Sequence, residues 1–224
     1  MSSPSDAPEA PTHRSLFAGR MKLVTVSAGL STPSSTRLLA DRLTDTVLDE
    51  LADQGHKADV DVIEVRLLAV AIANNLVTGF PPPQLADAIE AVTSADGLVT
   101  VTPVFSASYS GLFKSFFDLI DPGALTGRPV LIGATGGTPR RSLVLEHALR
   151  PLFTYLRTVV LPTGVYAASE DWGSGSDAHT KGLPARIRRA GREMASILAT
   201  GAAHPLPEDD LTGSKKQLSD LRFD

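Results

Sequence analysis

The chain has 224 residues, 42% of them hydrophobic, and a formal net charge of −4, which suits one compact domain of ordinary size with a fully formed core. That charge gives no general electrostatic case for nucleic acid or an anionic membrane, although a local basic patch can still hold one anionic ligand. There is no cysteine, so disulfides, thiolate nucleophiles and cysteine-ligated zinc are excluded, and a reducing compartment is permitted.

Residues 1–20 are rich in Pro, Ser and Ala and carry no sustained apolar period, which predicts a disordered N-terminal tail. They lack the hydrophobic core of a secretory signal, and no apolar run approaches the roughly 20 residues of a membrane helix. A soluble, cytoplasmic protein with neither membrane nor nucleic-acid partner is expected.

From Lys22 onward, short β-branched runs alternate with helical periods, placing strands near 22–27, 59–65, 97–102, 129–134 and 159–166. These runs are mostly continuous rather than alternating, as strands buried on both faces should be. The βα alternation and the strand count predict an α/β, flavodoxin-like three-layer sandwich with a five-stranded parallel sheet over residues 21–200. Residues 201–224 are read as a C-terminal tail.

After the first strand, Leu39, Leu43, Val47 and Leu51 recur every four residues and Gly55 follows as a stop, predicting an amphipathic helix over 34–54. The stretch LLAVAIANNLVTGFPPPQ, residues 67–84, ends in prolines and is expected to be a long irregular connection. After the third strand, Tyr109, Leu112, Phe113, Phe116, Phe117 and Ile120 fall on one broad helical stripe, which assigns most of them to core or subunit interface. Pro151, inside the period of Leu145, Leu149, Leu152 and Phe153, predicts a kink because it lacks an N–H.

Ligands of a doubly wound sheet bind beyond the carboxyl ends of the strands, where strand order reverses, so three loops belong together. The first, SAGLSTPSSTR, holds hydroxyls at Ser27, Ser31, Thr32, Ser34, Ser35 and Thr36 and a cation at Arg37 just before a helix. One helix cap needs one hydroxyl; the excess, with free backbone N–H groups and the helix dipole, suits a phosphate. The loop is neither Gly-Lys-Ser/Thr nor G-x-G-x-x-G, which favours a mononucleotide such as FMN over a clamped dinucleotide.

Pro103 is expected to end the third strand. The small side chains Ser106, Ala107 and Ser108 beyond it would let a flat ring approach the backbone, with Phe105 at its border. After the fourth strand comes ATGGTPRR, where Gly136 and Gly137 allow close approach and Thr135 and Thr138 offer donors.

No catalytic constellation is visible. His13, His56, His147, His179 and His204 are scattered without metal-ligand spacing, and no G-x-S-x-G elbow marks a serine hydrolase. No metal site and no catalytic side chain are assigned. The segment SEDWGSGSDAHTKG holds the only tryptophan, Trp172, either as a lid over a second substrate or as an anchored solvent loop.

Together VTVSAGLSTPSSTRLLA, TPVFSASYSGLFKSFFD and ATGGTPRRSLVLEHALRPLF resemble the NAD(P)H-dependent FMN reductase family, most closely the flavin reductases of two-component flavin monooxygenases. The resemblance covers about residues 21–200. It departs from the family at Ala28, Gly29, Leu30 and Ser31, where many members carry Gly-Ser-x-Arg.

The resemblance implies hydride transfer from NADPH or NADH to FMN, with reduced flavin passed to a partner monooxygenase. It points to Ser34, Thr36 and Arg37, then Ser27 and Ser35, as phosphate ligands. It assigns Pro103, Val104, Phe105, Ser106 and Ser108 to the isoalloxazine side, and Thr135, Gly136 and Gly137 to its polar edge. Tyr109 matches a tyrosine linked in such reductases to whether flavin is held or released. A homodimer or homotetramer formed through the helix after the third strand is also implied. The alternatives are a quinone or azo reductase that keeps its FMN bound, and a flavodoxin-like electron-transfer protein without a nicotinamide site.

Overall fold

A computed structural model describes residues 20–172 and 182–201. Nearly all of both expected tails, and the Gly173–Lys181 part of the tryptophan segment, lie outside the described residues.

Four long parallel strands form the centre: β1 (Met21–Ser27), β2 (Ala58–Glu64), β3 (Gly97–Phe105) and β5 (Pro129–Gly136). A two-residue strand, β4 (Ser108–Tyr109), folds back antiparallel on β3. The fifth parallel position is shared by two short strands on β5, β6 (Val159–Val160) and β7 (Val165–Ala168). The order β2-β1-β3-β5-β6 reverses direction between β1 and β3, the crevice at which doubly wound sheets bind ligands.

Apolar clusters cover both sheet faces. On one, α1 (Ser35–Asp53) and α6 (Gly182–Ala199) pack through Leu39, Leu43, Val47, Ile187 and Met194. On the other lie α2 (Ala69–Thr78), α3 (Pro83–Thr93), α4 (Gly111–Phe117) and α5 (Arg150–Tyr155), built around Phe113, Phe117 and Phe153. Burial on both faces explains the unbroken apolar strand runs: β3 is buried from Gly97 to Thr102.

Three expectations are corrected. The 67–84 stretch is largely helical: a 3-10 turn at Val65–Leu68 leads into α2, anchored by buried Ile72 and stopped by Gly79 at φ 76°. Only the segment from Phe80 to Pro82 is irregular, and Pro83 opens α3. The strand over 159–166 is broken between Val160 and Val165, where Pro162 has no N–H for the ladder. There the Arg150 guanidinium donates to the carbonyls of Leu161 (3.0 Å) and Pro162 (3.3 Å).

Pro103 does not end β3. Val101 shows its carbonyl to the β1 side, where it accepts from the Ala28 N–H at 3.0 Å, and Pro103, two residues on, faces the same side after β1 has ended. Its missing donor costs no ladder bond, while the other edge continues in register with Thr135. The helix is kept through Pro151, as expected: a π-helical stretch, Leu145–Leu149, joins directly onto α5, whose first turn holds Pro151.

Candidate functional site

Three loops meet at the carboxyl edge around β1 and β3 and enclose a cavity of about 450 Å³, a volume within the range of small-molecule sites. Each loop is shaped by local chemistry.

In the first, Ser34 is the N-cap of α1, its hydroxyl accepting the Arg37 N–H at 3.2 Å. A side chain on Gly29 would overlap that same hydroxyl, so this position requires glycine to let the turn close. Leu30, Ser31, Ser35 and Thr36 line the cavity. The Thr32–Pro33 peptide bond is cis.

The second loop is a two-residue hairpin. Phe105 pairs with Ser108 and Val104 with Tyr109, leaving Ser106 (φ 48°) and Ala107 (φ 66°) in the left-handed region. That geometry is the tight turn matching strand twist, but at positions where glycine or asparagine is the low-energy choice. The hairpin is tied down behind: the Ser110 N–H donates to the Thr102 hydroxyl at 3.0 Å, and the Ser110 hydroxyl caps α4 by accepting the Phe113 N–H at 3.1 Å. Pro103, Val104 and half-exposed Phe105 face the cavity.

The third loop brings Thr135, Gly136 and Gly137 to the wall. The Thr135 and Thr36 hydroxyls are buried and lie 2.8 Å apart, joining the first loop to the third. A side chain at Gly136 would overlap the Tyr166 hydroxyl, which donates to the Thr138 carbonyl at 2.8 Å. Burial is the main reason that the Tyr166 phenol is held above its usual pKa; the nearby Arg141 cation acts in the opposite direction.

Of the thirteen residues singled out from sequence, Ser35, Thr36, Pro103, Val104, Phe105, Thr135, Gly136 and Gly137 line this one cavity. The other five are placed differently. Ser27 is buried at the end of β1 and Ser34 serves the helix cap. Arg37 turns to carboxylates, with Asp41 at 2.7 Å and Glu64 at 2.8 Å; the Asp41 hydrogen bond is the main reason that its pKa is raised. Ser106 forms the turn, and Ser108 lines neighbouring cavities.

Five cavity residues were not assigned to it from sequence: Leu30, Ser31, Arg141, Ser169 and Trp172. The double arginine three residues after the glycine pair was a readable signal for Arg141. Trp172 was visible as an isolated aromatic; it stands under the Arg42 guanidinium, 5.1 Å from the ring centre. Ser169 had no signal, since it reaches the site only because β7 ends at Ala168 beside Gly136.

The α4 stripe serves the core. Phe113, Phe116 and Phe117 are fully buried, and the Phe113 and Phe117 rings pack on Phe153 with centres 6.2 and 5.0 Å apart. Among the described residues no group of three or more His, Asp or Glu side chains is placed to hold a metal, and no helix is long and apolar enough to cross a membrane.

The cavity therefore offers apolar side chains from Pro103, Val104 and Phe105, glycines permitting close approach, and hydroxyls beside a helix start. These features fit a planar ring carrying a phosphate.

Comparison with known proteins agrees with that chemistry. A family model described as NADPH-dependent FMN reductase matches residues 21–173. An FMN reductase (NADPH) of Pseudomonas aeruginosa is 39% identical over 178 residues, covering 79% of this chain and 91% of the relative. An NADH-dependent FMN reductase of Pseudomonas fluorescens is 37% identical, covering 80% and 93%. Among solved structures, an oxidoreductase from Corynebacterium diphtheriae is 45% identical with a TM-score of 0.77, covering 81% of this chain and 98% of its own.

Proposed function

This chain belongs to the NADPH-dependent FMN reductase family, and from that premise we propose that its three-loop cavity binds FMN and presents it to NADPH or NADH for reduction. Bound flavin would supply the redox chemistry, as acceptor of the hydride that the nicotinamide gives up on oxidation. The protein binds and orients the two rings.

In this reading the Ser31, Ser35 and Thr36 hydroxyls at the start of α1 take the phosphate. Pro103, Val104 and Phe105 border the ring system, and the Thr135–Gly137 backbone meets its polar edge. Arg37 acts through its carboxylate partners to brace the helix start, and Ser34 by capping it. Ser27, Ser106 and Ser108 shape the loops without facing the ring. The observation that carries the proposal is the single cavity shared by Thr36, Phe105 and Gly136, three residues brought from three loops.

We further propose that the protein is cytoplasmic and passes its reduced flavin to a separate, flavin-dependent monooxygenase. A homodimer or homotetramer is proposed, with exposed Val70, Val77 and Phe80 on and after α2 as its apolar contact rather than the buried α4 stripe.

Purified protein should oxidise NAD(P)H when free FMN is added and lose its flavin on desalting. No oxidation with FMN, FAD or riboflavin would sink the reading. A yellow protein that reduces quinones without added flavin would instead identify a quinone or azo reductase.

A further inference from the structure

We propose that Arg140 and Arg141 bind the phosphoryl groups of the incoming nicotinamide dinucleotide, in a second cavity that adjoins the flavin pocket. The inference rests on the flavin-reductase reading and assigns residues to its second substrate.

The second cavity, about 330 Å³, lies between the hairpin and the chain after β5. Arg140, Arg141 and His147 line it together with Ala107 and Ser108 of the turn, and no carboxylate does. Arg141 also lines the flavin pocket, so the two cavities meet at that side chain. A dinucleotide whose nicotinamide lies on the flavin therefore has a cationic path for the rest of its length.

The two arginines differ from others near the carboxyl edge of the sheet. Arg37 is held by Asp41 and Glu64, Arg66 by Glu64, and Arg150 by Glu146. Among the described residues, neither Arg140 nor Arg141 makes an ion pair or a side-chain hydrogen bond. In a chain of net charge −4, two adjacent uncompensated guanidinium groups at a cavity form a local anion site. Their planar forks match phosphate oxygens.

The backbone beneath them is prearranged. The Thr138 carbonyl accepts both the Tyr166 hydroxyl (2.8 Å) and the Arg141 N–H (3.3 Å), and the Ser142 N–H donates to the Pro139 carbonyl at 3.0 Å. Tyr166 thus pins the arginine turn to β7, and little ordering remains to be done on binding.

Two other uses of the pair fit less well. The FMN phosphate already has hydroxyls at the start of α1, on a different loop of the flavin cavity from Arg141. A neutral quinone or azo dye would have no use for two cations.

The test compares wild type with Arg140→Glu and Arg140→Glu/Arg141→Glu, both exposed sites whose replacement leaves the core intact. The KM for NADPH should rise roughly tenfold in the single variant and more in the double, while the KM for FMN stays within about twofold in Arg140→Glu. Arg140→Lys should recover part of the loss, since it restores charge without the fork. An equal rise for NADH would locate the contact at the pyrophosphate, and a rise for NADPH alone at the 2′-phosphate; either supports the site. An unchanged KM for NADPH, or a rise in the FMN value instead, would overturn it.

A binding measurement separates this proposal from the reductase reading. Adenosine 2′,5′-bisphosphate and ADP should raise the Tm of wild type more than that of the double variant, whether or not flavin is reduced. Equal shifts in the two proteins would reject the arginine site even in an active reductase.

Discussion

Two neighbouring pieces of one short stretch, the hairpin Phe105–Tyr109 and the helix α4 that follows at Gly111, solve opposite problems. The helix puts three phenylalanines out of solvent altogether, packs Phe113 against Phe117 with tilted rings 4.7 Å apart and spends its apolar surface on stability. The hairpin leaves Phe105 half-exposed and holds Ser106 and Ala107 at positive φ, a conformation costing roughly 1 to 2 kcal/mol per residue. Large aromatics here belong to the core, and small residues, in a strained turn, belong to the site. Substitutions on the two sides of Ser110 should therefore separate folding from binding.

The largest effect is expected on the helix side. Phe113→Ala empties a fully buried position between Tyr109, Phe117 and Phe153 and should lower stability by about 3 to 5 kcal/mol, measured by urea unfolding. Protein that remains folded at low temperature should keep its KM for FMN. A changed KM with unchanged stability would break the distinction.

Next is Gly136→Ala, on the wall that adjoins β3. The added methyl collides with the Tyr166 hydroxyl, which must give up the Thr138 carbonyl, at a cost of about 1 to 3 kcal/mol. Flavin binding should weaken as well, because the same glycine faces the cavity. Adding Tyr166→Phe removes the colliding oxygen, so the double variant should lose less than the sum of the two single losses. Strict additivity would show that the clash is relieved elsewhere.

Thr36→Val comes third. It removes one partner of the buried 2.8 Å hydroxyl pair and leaves the Thr135 hydroxyl without it, worth about 1 to 3 kcal/mol. Since this pair ties the phosphate-side loop to the ring-side loop, the KM for FMN should rise together with the loss of stability. A stability loss with unchanged flavin binding would return Thr36 to a packing role.

The legibility of these features in the sequence followed the range of the forces behind them. The strand runs and the helix of Leu39, Leu43, Val47 and Leu51 depend on local period, and they stand where that period puts them. The α2 helix was missed because three prolines at its far end outweighed an apolar segment anchored at a single fully buried point, Ile72. Pro103 was read as a terminator because a proline's tolerance inside β3 depends on where a different strand, β1, stops. At the site, Thr36, Phe105 and Gly136 could be grouped from topology alone. The Arg37 pairing with Asp41 is a local i,i+4 contact, but its commitment to Glu64 could not be read, because Glu64 lies at the end of β2, 27 positions away in sequence.

The smallest effect bears most directly on the hairpin. At φ 66° the Ala107 Cβ crowds its own carbonyl, and glycine does not. Ala107→Gly should therefore stabilise the fold by up to about 1 kcal/mol, part of the relief being offset by the greater freedom of glycine in the unfolded chain. For a protein of this size that corresponds to a rise in Tm of roughly 2 to 4 °C. Strain retained at a binding loop is balanced by what the conformation does there. With alanine the turn has one narrow set of angles, whereas glycine lets Phe105 and Ser108 swing, so the KM for FMN should rise as the Tm rises. If Tm and flavin affinity improve together, the strain does not serve the site, and Ser106 and Ala107 only route the chain from β3 into α4.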